Sequence, residues 1–221
     1  MFRSKIVSVA AATLALVATL GPAISHAQKA PPPPLSPIAL MGDAKRGSAI
    51  AETCYGCHGV PQSHNASPQY LVPKLGGQNA EYITVALQGY RRGTRGHETM
   101  QAQAASLSDQ DIADIAAYFA GLPGAAEGGR TDGTPAQIAA GKEKATACVQ
   151  CHGQEGVAAA PQWPNLGGQH ESYLIQALTQ YKDGRRNDML MGPLASTLDE
   201  KAIEDVAAFF ASKPHLHTTP R

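Results

Sequence analysis

The chain has 221 residues, with 18 lysines and arginines against 18 aspartates and glutamates, so its formal net charge is zero. That balance gives no electrostatic basis for gripping nucleic acid or an anionic membrane surface, and partner choice must come from local patches. Aromatic residues make up only 5% of the sequence, which is thin material for the core of a small domain.

At the amino terminus Arg3 and Lys5 precede an apolar run from Ile6 to Leu20. Gly21-Pro22 breaks the run, and Ser25-His26-Ala27 offers small residues around a cleavage point before Gln28. The pattern predicts a cleavable secretory leader over 1–27 and a periplasmic mature chain, because the run is shorter than the ~20 residues a membrane span needs. A proline-rich spacer follows over 28–40; its Pro31–Pro34 tract favours polyproline II and cannot pack a core.

A first folded unit is expected over 41–124. Its opening helix runs roughly from Asp43 to Thr53 and leads into Cys54-Tyr55-Gly56-Cys57-His58. On one helical turn, positions i, i+3 and i+4 share a face, so both thiols and the imidazole can address one macrocycle. The motif reads as a covalent haem attachment site: Cys54 and Cys57 form thioethers, and His58 gives the iron a nitrogen ligand. A second helix covers about Asn79 to Arg91, with Tyr82, Ile83, Ala86, Leu87 and Tyr90 at helical spacing. A third begins at Ser108, which can cap with Asp111, and carries Ile112, Ile115, Ala116 and Phe119 inward until Gly121 and Pro123 stop it. No alternating run is long enough for a sheet.

A Gly- and Pro-bearing linker over 125–134 leads to a second unit over 135–216 that repeats the first. Cys148-Val149-Gln150-Cys151-His152 is the same attachment chemistry, displaced by 94 residues, with Gly47 and Gly141 each seven positions before the first cysteine. Pro73-Lys74-Leu75-Gly76-Gly77-Gln78 matches Pro164-Asn165-Leu166-Gly167-Gly168-Gln169 at an offset of 91. The three-residue difference falls in the loop after each histidine, where length changes are tolerated. The matching helices are expected from Glu171 to Lys182 and from Asp199, carrying Ile203, Val206, Ala207 and Phe210, with Pro214 beyond. The class is therefore all-α: two tandem units produced by internal duplication, each wrapped round a haem that completes its core. The paired glycines imply close backbone approach, by Tyr118 or Phe119 in one half and by Phe209 or Phe210 in the other.

Other uses of the cysteines fit less well. A redox disulfide belongs near a βαβ pattern, and a tetrathiolate zinc site brings its C-x-x-C pairs within about 15–20 residues of each other. Met100 and Met191 share the offset of 91 and stand seven residues before Leu107 and Leu198, which makes them the candidate sixth ligands; Met189 competes with Met191. Thioether sulfur is a soft donor that favours ferrous iron. With both axial positions filled, electron transfer is favoured over chemistry at the metal. Arg91, Arg95, Arg185 and Arg186 are candidates to meet haem carboxylates. His64 and His97 lack counterparts and are expected at the surface, His170 lies at a helix start, and His215 and His217 belong to a tail. Asp183 and Asp188 replace Arg92 and His97 in the second half, which makes the two potentials unequal.

The duplicated C-x-x-C-H, the two Leu-Gly-Gly-Gln segments, Tyr-Arg-Arg-Gly with Tyr-Lys-Asp-Gly, and Asp-Ile-Ala-Asp-Ile-Ala-Ala-Tyr-Phe together resemble dihaem cytochromes c of the cytochrome c4 class. The likeness runs from Gly42 to Pro214. It implies two class I cytochrome c domains related by an approximate twofold axis and relaying single electrons in the periplasm. It also implies that Pro73 and Pro164 present carbonyl oxygens to the Nδ1–H groups of His58 and His152. The implied donor is a quinol-oxidising complex or a periplasmic dehydrogenase, and the implied acceptor is a haem-copper oxidase, reached by transient docking at a membrane complex. The rival readings are a dihaem subunit of an enzyme such as a flavoprotein sulfide dehydrogenase, or a dihaem peroxidase or thiosulfate-oxidising cytochrome. The last would need an open or unusually ligated haem, and no cysteine is left over to supply such a ligand.

Overall fold

The computed structural model describes residues 40–219; the leader expected over 1–27, and all but the last residue of the spacer, lie outside it. The described residues are mainly helical. The first half comprises α1 (Ala44–Ile50), α2 (Glu52–His58), β1 (His64–Asn65), β2 (Tyr70–Leu71), α3 (Ala80–Arg92), α4 (Glu98–Ala105) and α5 (Asp109–Ala120). The remainder comprises β3 (Ala125–Gly128), α6 (Pro135–Lys144), α7 (Val149–His152), α8 (Glu171–Lys182), α9 (Met191–Ser196), α10 (Glu200–Ala211) and β4 (Pro214–His215). The opening helix expected from Asp43 to Thr53 is instead two segments, with Ala51 closing α1 and opening α2.

Each half is built on a crossing of its first helix over its last, α1 on α5 and α6 on α10. Helix α5 starts with the expected capping box, Ser108 and Asp111 satisfying each other's backbone N–H groups, and buries Ile112, Ile115, Ala116 and Phe119. Helix α10 starts at the Asp199 cap and buries Ile203, Val206, Phe209 and Phe210. Helix α3 closes the first core with Ile83 and Leu87, and Leu174 of α8 does the same in the second.

Gly47 and Gly141 are what let the crossings form. A methyl group at Gly47 would lie 2.0 Å from Asp114 O and 2.9 Å from Tyr118 Cβ; at Gly141 it would lie 1.9 Å from Asp205 O and 2.8 Å from Phe209 Cβ. The approaching side chains are thus Tyr118 and Phe209 rather than Phe119 and Phe210, which point into the cores, and the tightest contact is main chain against main chain. Asp114 and Asp205 lock the same crossings with their carboxylates. Asp114, 1% exposed, accepts from Asp43 N at 2.7 Å and Arg46 Nη2 at 3.0 Å. Asp205, also 1% exposed, accepts from Lys144 Nζ at 2.6 Å and from Lys201 Nζ.

Two short antiparallel ladders depart from the expectation of no sheet. β1 pairs with β2, and β3 pairs with β4, aligning Ala125 with His215 and Gly128 with Pro214. β3 lies in the segment expected to be a linker, and β4 begins the expected tail. The tail then pairs Gly76 with His217 through two backbone hydrogen bonds of 3.2 Å, so it straps the first half to the second. Backbone groups of irregular segments must find partners when they lie against a surface, and here they find each other.

Candidate haem sites

Cys54, Cys57 and His58 lie on α2, while Cys148 precedes α7 and Cys151 and His152 lie within it. All four thiols are unpaired. Burial pushes the Cys54 and Cys148 thiols above their ordinary values, so they are neutral thiols rather than metal-seeking thiolates.

His58 Nδ1 lies 2.7 Å from Pro73 O, and His152 Nδ1 lies 2.9 Å from Pro164 O. A carbonyl oxygen only accepts, so each Nδ1 carries the proton and each Nε2 is left with a free lone pair. Burial holds both imidazoles below the usual histidine range despite the opposing pull of these hydrogen bonds, which keeps the rings neutral. A neutral ring with its proton fixed on Nδ1 is the form that ligates a metal.

In the second half a cavity of about 710 Å³ is bordered by Cys148, Cys151, His152, Pro164, Met191 and Phe210. That volume suits an organic cofactor. Met191 opens α9 and is half-buried, whereas Met189 is 97% exposed at the cavity's edge. In the first half Met100, on α4, packs with Cys54 and Leu107 against the core of Ile83, Leu87 and Phe119.

The methionine-bearing segments are held by side-chain acceptors of different chemistry three residues upstream. Asp188 Oδ1 accepts from Met191 N at 2.8 Å, and His97 Nδ1 accepts from Met100 N at 3.2 Å. His97 is therefore no free surface histidine. It is half-buried, with the rings of Tyr70 and Tyr90 edge-on at 6.4 and 6.3 Å. Burial and the charge of Arg186 hold its pKa below the usual range. The shared task is hidden at the level of residue type, because one half uses a histidine and the other an aspartate.

The four candidate arginines divide cleanly. Arg91 donates to Leu107 O at 2.8 Å and pairs with Asp109, and Arg185 pairs with Asp183 through Nε at 2.8 Å. Arg95 and Arg186 meet no carboxylate among the described residues. They face each other in an antiparallel bridge between the halves. Arg95 Nη2 donates to the hydroxyls of Tyr82 and Tyr173, both at 3.0 Å, and its buried Nε has no hydrogen-bond partner among the described residues. Arg186, 5% exposed, donates to Gln180 Oε1 at 2.7 Å and lies over the rings of Tyr173 and Tyr181. Although burial alone would raise it, Tyr173 is pulled down to about 8 by Arg186 and Arg95. Tyrosine hydroxyls, aromatic faces and Gln180 stabilise the half-buried Arg95 and the buried Arg186, but neither guanidinium has an anion beside it among the described residues. Both border the cavity. The carboxylates of a haem would supply that negative charge, so thiols, neutral imidazoles, soft sulfur and cations without a carboxylate partner together fit that group.

Comparison with known proteins gives the same picture. The profile of the Cytochrome c family matches twice, at residues 44–123 and 138–213. The chain is 36% identical over 178 residues to a cytochrome c4 of Pseudomonas aeruginosa, spanning 76% of this chain and 87% of that one. It is 33% identical over 173 residues to a thiosulfate dehydrogenase electron acceptor of Stutzerimonas stutzeri, spanning 73% and 79% respectively. Its fold is similar to the crystal structure of reduced recombinant cytochrome c4 from Pseudomonas stutzeri, with a TM-score of 0.68 and 31% identity over 78% of this chain and 99% of that one.

Proposed function

This chain belongs to the cytochrome c family as a two-domain, dihaem electron carrier of the cytochrome c4 kind, not an enzyme, and on that premise we propose a periplasmic relay. It takes single electrons from a quinol-oxidising complex or a dehydrogenase and hands them to a haem-copper oxidase or an equivalent acceptor. Haem, when bound, supplies a one-electron ferric/ferrous couple whose potential the protein sets.

The chain's own residues do the rest. Cys54 with Cys57, and Cys148 with Cys151, would tether the two haems, while the Nε2 atoms of His58 and His152 would each hold one iron. Met100 and Met191 would supply the sulfur ligands, whose softness would favour the reduced state. Pro73 and Pro164 hold the imidazoles in one tautomer. Ile83, Leu87 and Phe119 in one half, and Leu174, Val206 and Phe210 in the other, exclude water. Arg95 and Arg186 balance the charge of the carboxylates. The boundaries that go with this reading are 1–27 for the leader, 28–40 for the spacer, 41–124 and 135–216 for the domains, and 125–134 between them.

The observation that carries the proposal is the matched pair of neutral imidazoles, His152 buried and His58 half-buried, each with Nδ1 on a proline carbonyl and Nε2 left as the lone-pair nitrogen. A second reading is supported by the name of the Stutzerimonas stutzeri relative: the donor is a periplasmic sulfur-compound dehydrogenase, of which this chain is the electron-accepting partner. Stopped-flow mixing separates them. Rapid oxidation of the reduced protein by membranes containing a haem-copper oxidase supports the relay, as does reduction by a quinol-oxidising complex. Reduction only by a dehydrogenase with which the chain copurifies supports the second reading. Turnover of peroxide by the purified protein refutes both.

A further inference from the structure

Both halves contain Leu-Gly-Gly-Gln, yet neither ligand set uses its glutamine. Gln78 and Gln169 are 5% and 3% exposed, and each reaches into the opposite half. Gln169 Oε1 accepts from Lys74 N at 2.9 Å, and its Nε2 donates to Lys74 O at 3.0 Å. Gln78 repeats the clamp on Asn165, accepting from the backbone N at 2.8 Å and donating to the backbone O at 2.9 Å. The clamped residues answer in kind: Lys74 Nζ donates to Gly168 O, and Asn165 Nδ2 donates to Gly77 O at 2.8 Å.

Lys74 and Asn165 directly follow Pro73 and Pro164. The Pro73 carbonyl and the Lys74 N–H therefore belong to one planar peptide unit, as do the Pro164 carbonyl and the Asn165 N–H. His58 donates to one edge of the first unit while Gln169 accepts from the other edge. His152 and Gln78 flank the second unit in the same way. A hydrogen bond accepted from the N–H polarises the amide and makes its oxygen a stronger acceptor. A stronger acceptor at Nδ1–H makes the imidazole a more basic ligand, which favours ferric iron.

We infer that Gln169 is a positioning residue for the His58 site and Gln78 for the His152 site, so that each half orients and tunes the metal-binding imidazole of the other. The inference rests on His58 and His152 being the iron ligands. It makes the seam between the halves part of both redox centres, and it gives the two a route of mutual influence through main-chain amides.

The test uses holo-protein carrying Gln169→Leu or Gln78→Leu. Two quantities are read: the ferric haem-methyl proton resonances, assigned to each half through contacts with Met100 or Met191, and the two midpoint potentials. Gln169→Leu is expected to shift the methyls, and raise the potential, of the haem held by His58 more than those of the haem held by His152. Gln78→Leu is expected to do the reverse. In the near-isosteric Gln→Glu variants an ionised carboxylate accepts from the N–H more strongly than the amide does, so they are expected to shift the methyls and lower the potential chiefly of the same, opposite haem. They carry the test if the leucine variants do not yield holo-protein. A variant that chiefly perturbs the haem of its own half, both equally, or neither overturns the inference. A wild-type spectrum without histidine–methionine ligation would instead sink the ligand assignment, which keeps the two failures apart.

Discussion

Replacing Gly141 by alanine places a methyl carbon 1.9 Å from Asp205 O and 2.6 Å from the carbon of the same carbonyl. A tolerable carbon–oxygen approach is about 3.3 Å, so α6 must retreat from α10 by about 1.4 Å. The obstacle is main chain, which cannot rotate away as a side chain would. The retreat also stretches the 2.6 Å bond from Lys144 Nζ to Asp205. Overpacking of this kind costs about 1–3 kcal/mol. Alanine's better helix propensity returns about 1 kcal/mol, while the weakened carboxylate contact removes about as much again. The expected outcome for Gly141→Ala is a loss of about 2 kcal/mol from the second half. Gly47→Ala, whose methyl would lie 2.0 Å from Asp114 O, is expected to do the same to the first. Guanidinium denaturation of the holo-protein, followed by circular dichroism and by haem absorbance, measures both. A Gly141→Ala variant as stable as wild type would refute the reasoning, since propensity would then have outweighed the contact.

Acid should expose the role of Asp205, whose carboxyl is held below the usual range by hydrogen bonds from Lys144 and Lys201. A depressed folded value means that its stabilising contribution is present above the unfolded value near 3.9 and is lost as pH falls through the folded one. Asp205→Asn should cost about 2 kcal/mol at pH 7 and flatten the stability loss below about pH 4; an unchanged acid limb in denaturation curves at stepped pH would contradict this. Truncating the side-chain acceptors to alanine, at His97 for Met100 and at Asp188 for Met191, should each cost about 1 kcal/mol and loosen only the methionine of the same half, as read from the haem-methyl spectrum. His97→Asn should restore the first cap, and a variant that loosens the opposite methionine would count against the assignment.

What the sequence made legible were the features written at short range. The spacing of Ile112, Ile115 and Phe119 sets a helix face, and Ser108 with Asp111 sets its start, so α5 could be read from the sequence alone. Contacts between the halves could not. Gln78 meets Asn165 across 87 positions, and no local period encodes such a pair. The hint lay in the duplication itself, which preserved a glutamine after Gly-Gly where a loop would accept many residues. Likewise, Asp114 and Asp205 sit on otherwise apolar faces at the shared offset, a signal for a buried carboxylate that hydrophobic periodicity passes over. The arginines were indistinguishable by type. What separates Arg95 and Arg186 from Arg91 and Arg185 is whether a carboxylate lies within reach, which depends on tertiary placement. The role of His97 is hidden because its counterpart is an aspartate: the shared property is accepting a hydrogen bond from a methionine N–H, and identity at the offset does not reveal it.

Electron relay as proposed requires two irons, each held by a histidine and a methionine of this chain. The far-red absorption band from methionine sulfur to ferric iron, scaled to two haems per chain by haemochrome assay, tests that most directly. Full intensity is expected in the wild type, with half lost in Met100→Ala, half lost in Met191→Ala and none lost in Met189→Ala. A wild-type band of half intensity, or a band halved by Met189→Ala and untouched by Met191→Ala, would contradict it.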